Sequence, residues 1–288
     1  GTATPGVLPE VAAQVVLMDP NDIDGVAEAL EGDTEIAAVI LEPTGGGGGM
    51  IPLAPDFVSQ LRALTKQHGV LLILDEVVTG FRVHPGGAQG LFDVTPDLTT
   101  LAKILAGGLP GGAVAGRAEI LDHLDFKAAA DRKFEKIHHP GTFNANPMSA
   151  AAGSKTLEII ANSDACARAA AFGEALRPRL NDVFAGAGVA WAAYGQQANF
   201  FIFMNGAGLT IDPRNFDPFA MPYQDLKAKP PALLNKLRLA LLIGGVDFSG
   251  SGGGVISATH GDDDLEHTVA AFEQAVAMWA AEENLPRL

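Results

Sequence analysis

The chain has 288 residues, 48% of them hydrophobic, which is enough to bury a large core in one or two domains. Its formal net charge of −15 argues against nucleic acid and against an anionic membrane surface as partners. The single cysteine, Cys166, excludes an intrachain disulfide and a cysteine metal cluster. These residues contain neither a signal peptide nor a membrane-spanning run, and together with the single cysteine this favours a cytoplasmic protein. We expect no metal site.

The first half of the chain alternates short apolar strands with amphipathic helices. Residues 21–32 predict a helix capped by Asn21 or Asp22, and residues 55–69 predict a second helix that Gly69 stops. Strands are predicted at 36–42, 70–74, 98–101 and 113–115. Continuous apolar strands between helices indicate an α/β fold with a mainly parallel sheet sandwiched by helices.

After a helix predicted at 146–161, the order of the predicted helices and strands changes. A helix is predicted at about 165–185 with Pro178 as an internal irregularity, then strands at 189–194 and 198–204, and a loop-rich excursion at 206–231. A helix to Gly244 and Gly245, a strand at 254–259 and a helix at 263–283 complete the pattern. We therefore expect a domain at 1–160 and a smaller α+β domain at 161–288.

Three polar residues stand at the carboxyl ends of predicted strands, where open parallel sheets bind ligands. They are Glu42, Asp75 and Lys103. Taken alone, Asp75 could cap a helix or face solvent, and Lys103 could be solvated. A desolvated lysine, however, has a lowered pKa and can form a Schiff base, and pyridoxal phosphate needs a lysine for its aldehyde and an acid for its ring nitrogen.

The motifs "DEVVTGFR" at 75–82, "AKILAGGLPGG" at 102–112 and "HPGTFNANPMSAAAG" at 139–153 give a specific resemblance. The chain closely resembles the class III aminotransferases, which belong to fold type I of the pyridoxal-phosphate enzymes. Within that family, the chain most resembles glutamate-1-semialdehyde aminomutase and the β-amino-acid aminotransferases. The resemblance implies a fold type I α/β domain and a smaller C-terminal α+β domain.

The resemblance also implies roles for individual residues. Asp75 would pair with the ring nitrogen of pyridoxal 5'-phosphate, and Val77 would pack on the ring face, although plain core packing is an equal reading of Val77. Lys103 would hold the cofactor as a Schiff base and act as the general base. Gly141 and Thr142 would bind the cofactor phosphate of a partner subunit, which implies a homodimer with shared active sites.

The resemblance makes Glu76 and Arg82 members of structural ion pairs rather than ligands. The implied reaction is ping-pong transfer of an amino group from an amino acid or amine to a keto acid. Gly47 and Gly252 stand where the aminomutase carries an Asn and a Glu, so transamination is favoured over the intramolecular mutase reaction, which stays the alternative. The glycine run 45–49 is either a mobile turn or a close backbone approach to a ligand.

Chains of the family begin earlier than Gly1. The resemblance therefore implies a preceding segment that supplies a small-residue phosphate loop, an aromatic residue over the ring and often an arginine for the substrate carboxylate. Without such a segment, a further alternative is a non-catalytic remnant that acts as a binding module.

Overall fold

The computed structural model describes residues 4–280, with the side chain of Ala280 left out. The strands are β1 Ala38–Leu41, β2 Ile51–Pro52, β3 Leu71–Asp75, β4 Leu98–Ala102, β5 Gly112–Gly116, β6 Ala192–Tyr194, β7 Asn199–Phe203 and β8 Gly253–Val255. The helices are α1 Pro9–Ala12, α2 Ile23–Gly32, α3 Gly46–Gly49, α4 Phe57–His68, α5 Gly87–Phe92, α6 Ala118–Leu121, α7 Phe126–Arg132, α8 Pro147–Ala161, α9 Ala165–Gly186, α10 Tyr223–Lys227, α11 Pro231–Ile243 and α12 Asp262–Ala280. The predicted last turn of α12, residues 281–283, lies outside the described residues.

The first sheet has four strands in the order β1-β3-β4-β5. Strands β1, β3 and β4 are parallel, whereas β5 runs antiparallel to β4. Helices α2 and α4 cover one face, where Leu61, Leu72 and Leu74 are fully or almost fully buried. On the opposite face of the edge strand β1, Ile40 is 61% exposed. The predicted α/β fold with a mainly parallel sheet is confirmed.

The second sheet is antiparallel, in the order β6-β7-β8, and its strands are shorter than the sequence predicts. Helices α9, α11 and α12 pack against it around a large aromatic cluster. Trp191 lies edge-on to both Phe184 and Trp279 at the centre of this core. The proposed domain boundary at 160 falls at the end of α8 and stays a prediction. Within the described part of the chain, every helix is too short or too polar to cross a membrane.

Local chemistry explains where several helices begin and end. Asp22 caps α2 by accepting a hydrogen bond from the Gly25 N–H at 2.9 Å, as the sequence predicts. Gly69 ends α4 in the left-handed conformation, with φ 69°. Asn146 caps α8 by accepting from the Met148 N–H at 2.9 Å. Helix α5 lacks a local capping bond of this kind and was missed by the sequence prediction.

Candidate active site

Asp75 and Lys103 stand at the same edge of the first sheet. Asp75 is the last residue of β3, and Lys103 directly follows β4. The two strands are parallel neighbours, and their register pairs Asp75 with Thr100. Because the carboxyl ends of parallel strands meet at one edge, the acid and the amine both stand at that edge of the sheet.

The carboxylate of Asp75 is held by its own strand and its neighbour. Its Oδ1 accepts hydrogen bonds from the Thr100 hydroxyl at 3.0 Å and from the Val77 N–H at 3.1 Å. In the part of the chain that the structure describes, Oδ2 has no hydrogen-bond partner. The strand end thus fixes Oδ1 and leaves Oδ2 free to accept a hydrogen bond.

Lys103 opens a 3-10 turn, Lys103–Ala106, and has a positive φ of 50°. A left-handed conformation is uncommon for lysine, and here it occurs where β4 passes into the 3-10 turn. Its side chain is exposed, so the expectation that this lysine is desolvated was wrong for the described chain. The apolar residues around it, Ala102 and Ile104, are themselves only half-buried and do not cover the amine.

The glycine run forms an ordered turn. Glu42, which follows β1, accepts hydrogen bonds from the N–H groups of Gly47 at 2.9 Å and Gly48 at 2.7 Å. At Gly45, with φ 102°, an added Cβ would lie 1.9 Å from the Ile51 carbonyl oxygen. The close approach that requires glycine at this position is therefore to the protein's own backbone.

Asn199, at the start of β7, connects the two sheets at this turn. Its Nδ2 donates a hydrogen bond to the Gly48 carbonyl at 2.7 Å. The residue is only 3% exposed, and its Oδ1 has no hydrogen-bond partner among the residues that the structure describes. Sequence reasoning missed Asn199, because nothing local marks a residue whose contact lies 151 positions away.

A cavity of about 190 Å³ lies between the two sheets at this point. Its polar and charged lining comes from both: Arg82, Lys103, Asn199, Ser249 and Ser251. The glycine turn forms part of the wall. Asp75 and Val77 lie outside this lining, so Lys103 is the predicted site residue that the cavity includes. A larger groove of about 420 Å³ between α9 and α12 lacks any of the predicted site residues.

Within residues 4–280, Glu76 and Arg82 do not form the ion pairs expected for them. Glu76, only 1% exposed, accepts hydrogen bonds from the Thr79 hydroxyl at 3.1 Å and the Ala88 N–H at 2.5 Å. It also accepts from the Gln89 side chain at 2.9 Å, so it caps α5 from a distance of several residues in sequence. The Arg82 Nε donates to the Val78 carbonyl at 2.8 Å, and burial lowers the pKa of this guanidinium.

Gly141 and Thr142 lie on an exposed loop before α8, away from the cavity lining of this chain. The loop is shaped by Asn144, whose N–H donates to the Gly141 carbonyl at 3.0 Å and whose Nδ2 donates to the His139 carbonyl at 3.1 Å. The next side chain, Phe143, is 80% exposed. The structure therefore does not bring this pair together with Asp75 and Lys103 within one chain.

Comparison with known proteins gives consistent similarities. The family model for class-III aminotransferases matches residues 13–188. Glutamate-1-semialdehyde 2,1-aminomutase of Alkaliphilus metalliredigens (strain QYMF) is 44% identical over 161 residues, which is 56% of this chain and 35% of the relative. The same enzyme of Bordetella avium (strain 197N) is 34% identical over 279 residues, which is 96% of this chain and 61% of the relative.

Among solved structures, an omega-transaminase from Sphaerobacter thermophilus superposes with a TM-score of 0.80 at 31% identity, covering 95% of this chain and 59% of that one. The chain thus spans between about a third and three fifths of the length of these relatives. The matching family model covers more than half of the chain and includes both strand ends described above. The chain belongs to the class-III aminotransferase family.

Proposed function

We propose that the protein is a pyridoxal-phosphate-dependent aminotransferase that moves an amino group from an amino acid or amine to a keto acid. The observation that carries the proposal is the placement of Asp75 and Lys103 at the ends of neighbouring parallel strands in a member of this family. We further propose a cytoplasmic homodimer with small-molecule substrates and without a nucleic-acid or membrane partner.

The residues at the edge of the sheet fit the cofactor. The free Oδ2 of Asp75 is suited to accept a hydrogen bond from the N–H of a pyridinium ring, with Oδ1 held in place by the Thr100 hydroxyl and the Val77 N–H. A charge-assisted hydrogen bond of this kind contributes about 1.5–3 kcal/mol. Val77 follows Asp75 by two residues and is proposed to contact the ring face. When bound, pyridoxal phosphate supplies an aldehyde for amines and a ring that withdraws electrons.

Lys103 is proposed to attach the cofactor and to move a proton. Its exposed amine borders the cavity and would hold the cofactor within reach of a substrate amine. As general base, the released Lys103 amine would take the proton from the substrate carbon that carries nitrogen and return it on the cofactor side.

The phosphate and the dimer complete the proposal. Gly141 and Thr142 present an N–H group and a hydroxyl on an exposed loop, which suits a site formed with a neighbouring subunit. The nearby exposed Phe143 and Met148, at 80% and 72%, are also consistent with a covered interface in an assembly. These roles follow from the family resemblance.

A second candidate is the intramolecular aminomutase reaction, favoured by the similarity to proteins with that name. Against it, Gly47 and Gly252 offer no side chain at two positions where the resemblance expects polar groups. Glutamate-1-semialdehyde incubated without an amino acceptor separates the two. Steady single-substrate turnover would favour the mutase.

The test of the leading candidate is two-substrate kinetics on the cofactor-loaded protein. A donor amine alone should yield carbonyl product equal to the amount of enzyme and then stop, and a keto acid should restart turnover. Double-reciprocal plots should be parallel, as ping-pong transfer requires. A protein that never takes up the cofactor would instead support the binding-module alternative.

A further inference from the structure

The cavity beside Lys103 is positively charged in an otherwise acidic chain. Arg82 and Lys103 both line it, and among the described residues none of the lining side chains is a carboxylate. The chain as a whole has a net charge of −15. Arg82 is half-buried in a cavity whose described lining has no acid, and an anionic ligand would neutralise its charge.

Arg82 is positioned to receive that anion. Its Nε is already bonded to the Val78 carbonyl at 2.8 Å, which fixes the plane of the guanidinium group. In the described part of the chain, its two terminal nitrogens have neither a hydrogen-bond acceptor nor an ion-pair partner. A planar guanidinium with free terminal N–H groups matches a carboxylate, which accepts two parallel hydrogen bonds.

The opposite wall supplies further polar groups. The Oδ1 of Asn199 is buried without a donor, although its Nδ2 is fixed on Gly48. A buried unpaired acceptor costs free energy unless a ligand or water satisfies it. Ser249 and Ser251 add hydroxyl groups, which lie 3.0 Å apart on an exposed loop. These groups can bind a donor on the ligand that also carries the anionic group.

We propose that Arg82 is the residue that receives an anionic group of the substrate, a carboxylate, while Asn199 accepts a hydrogen bond from the same molecule. The inference rests on the proposed function, because it places the substrate beside the reactive Lys103. The cavity of about 190 Å³ has room for a small acid. The cofactor phosphate shares the chemistry of an anion, so the experiment must separate the two sources.

The experiment is titration calorimetry of the cofactor-loaded protein with succinate, with succinamide as the neutral analogue of similar shape. Arg82→Met keeps the side-chain stem and removes the charge, and it should weaken succinate binding about ten- to a hundred-fold. Arg82→Lys should restore part of the loss, because it keeps a charge but not the paired hydrogen bonds. Arg168→Met, at a surface ion pair with Asp164, should leave succinate binding unchanged.

The cofactor affinity of each variant is measured in parallel by absorbance. Loss of cofactor affinity in Arg82→Met with unchanged succinate binding would assign Arg82 to the phosphate and overturn the inference. Failure of the wild-type protein to bind succinate, or binding no stronger than that of succinamide, would also overturn it. If Arg82→Met does not fold, Ser251→Asp places a negative charge in the cavity from an exposed loop, and it should weaken succinate binding.

Failure of the proposed function is distinguishable from failure of this inference. A protein that takes up no pyridoxal phosphate counts against the aminotransferase proposal. The same succinate titration on the cofactor-free protein then still decides whether Arg82 binds a carboxylate.

Discussion

Asp97 is a buried charge whose contribution to stability can be worked out from its contacts. It is 5% exposed and precedes β4. Its Oδ2 accepts from the Arg62 guanidinium at 2.7 Å and from the Leu72 N–H at 2.8 Å, and its Oδ1 accepts from the Arg117 guanidinium at 2.9 Å. Burial alone raises the pKa of Asp97, but these hydrogen bonds outweigh burial and lower the pKa to about 2.

The magnitude follows from this shift. Relative to an ordinary pKa of 3.8, the folded state favours the ionised form by about 2.5 kcal/mol. Because the pKa is lowered on folding, this stabilisation is fully present above about pH 5 and is lost as the pH falls towards 2. Asp97→Asn should therefore lower the free energy of unfolding by about 2–4 kcal/mol at pH 7, since it also leaves a buried guanidinium short of a partner.

Urea unfolding of the wild-type protein and Asp97→Asn at pH 7 and at about pH 3 provides the assay. The difference between the two proteins should shrink by about 1 kcal/mol at the lower pH, where Asp97 of the unfolded chain is mostly protonated. Asp131→Asn, in an exposed pair with Lys127, is the matched control and should change stability by less than about 1 kcal/mol. A pH-independent difference, or a loss at pH 7 no larger than the control, would refute the reasoning.

Two further substitutions test local features. Burial lowers the pKa of Lys229 to about 8, so its charged form is penalised below that pH and the penalty fades as the pH rises towards 10.5. Lys229→Met should raise the free energy of unfolding at pH 7 by about 1–2 kcal/mol, after allowing for the lost hydrogen bond to the Ile202 carbonyl. In urea unfolding this stabilisation should vanish near pH 10. A stabilisation that does not change with pH would contradict the assigned cause. Gly45→Ala should cost about 2–4 kcal/mol, because its Cβ would meet the Ile51 carbonyl at 1.9 Å, whereas Gly32→Ala, with no atom within 4 Å, should be neutral or stabilising by thermal unfolding. Equal effects of the two glycine substitutions would show that the contact at Gly45 is not tight.

Much of the fold could be predicted from the sequence, because the local sequence patterns agree with the final structure. The apolar run before Asp75 became strand β3, and Gly69 ended α4 as predicted. Placing Asp75 and Lys103 at one edge needed only the rule that parallel strands share a carboxyl end. These features depend on residues close in sequence or on sheet topology.

The features that escaped prediction depend on distant contacts. The hydrogen bond from Asn199 to Gly48 joins residues far apart in sequence, and no periodicity reports it. The prediction of an ion pair for Glu76 was wrong, because its carboxylate caps α5 and accepts hydrogen bonds from backbone and amide donors instead. The exposure of Lys103 likewise depends on which segments cover it, which its apolar neighbours in sequence do not reveal.

The most direct test of the central claim is borohydride reduction of the cofactor-loaded protein followed by peptide mass mapping. The added mass of the cofactor should be found on the peptide that contains Lys103, and Lys103→Ala should carry no covalent cofactor. Lys229, with its lowered pKa, is the competing amine, and it should remain unlabelled because its Nζ is bonded to the Ile202 carbonyl and lies outside the cavity lining. Labelling of Lys229 or of any other lysine in place of Lys103 would contradict the proposal.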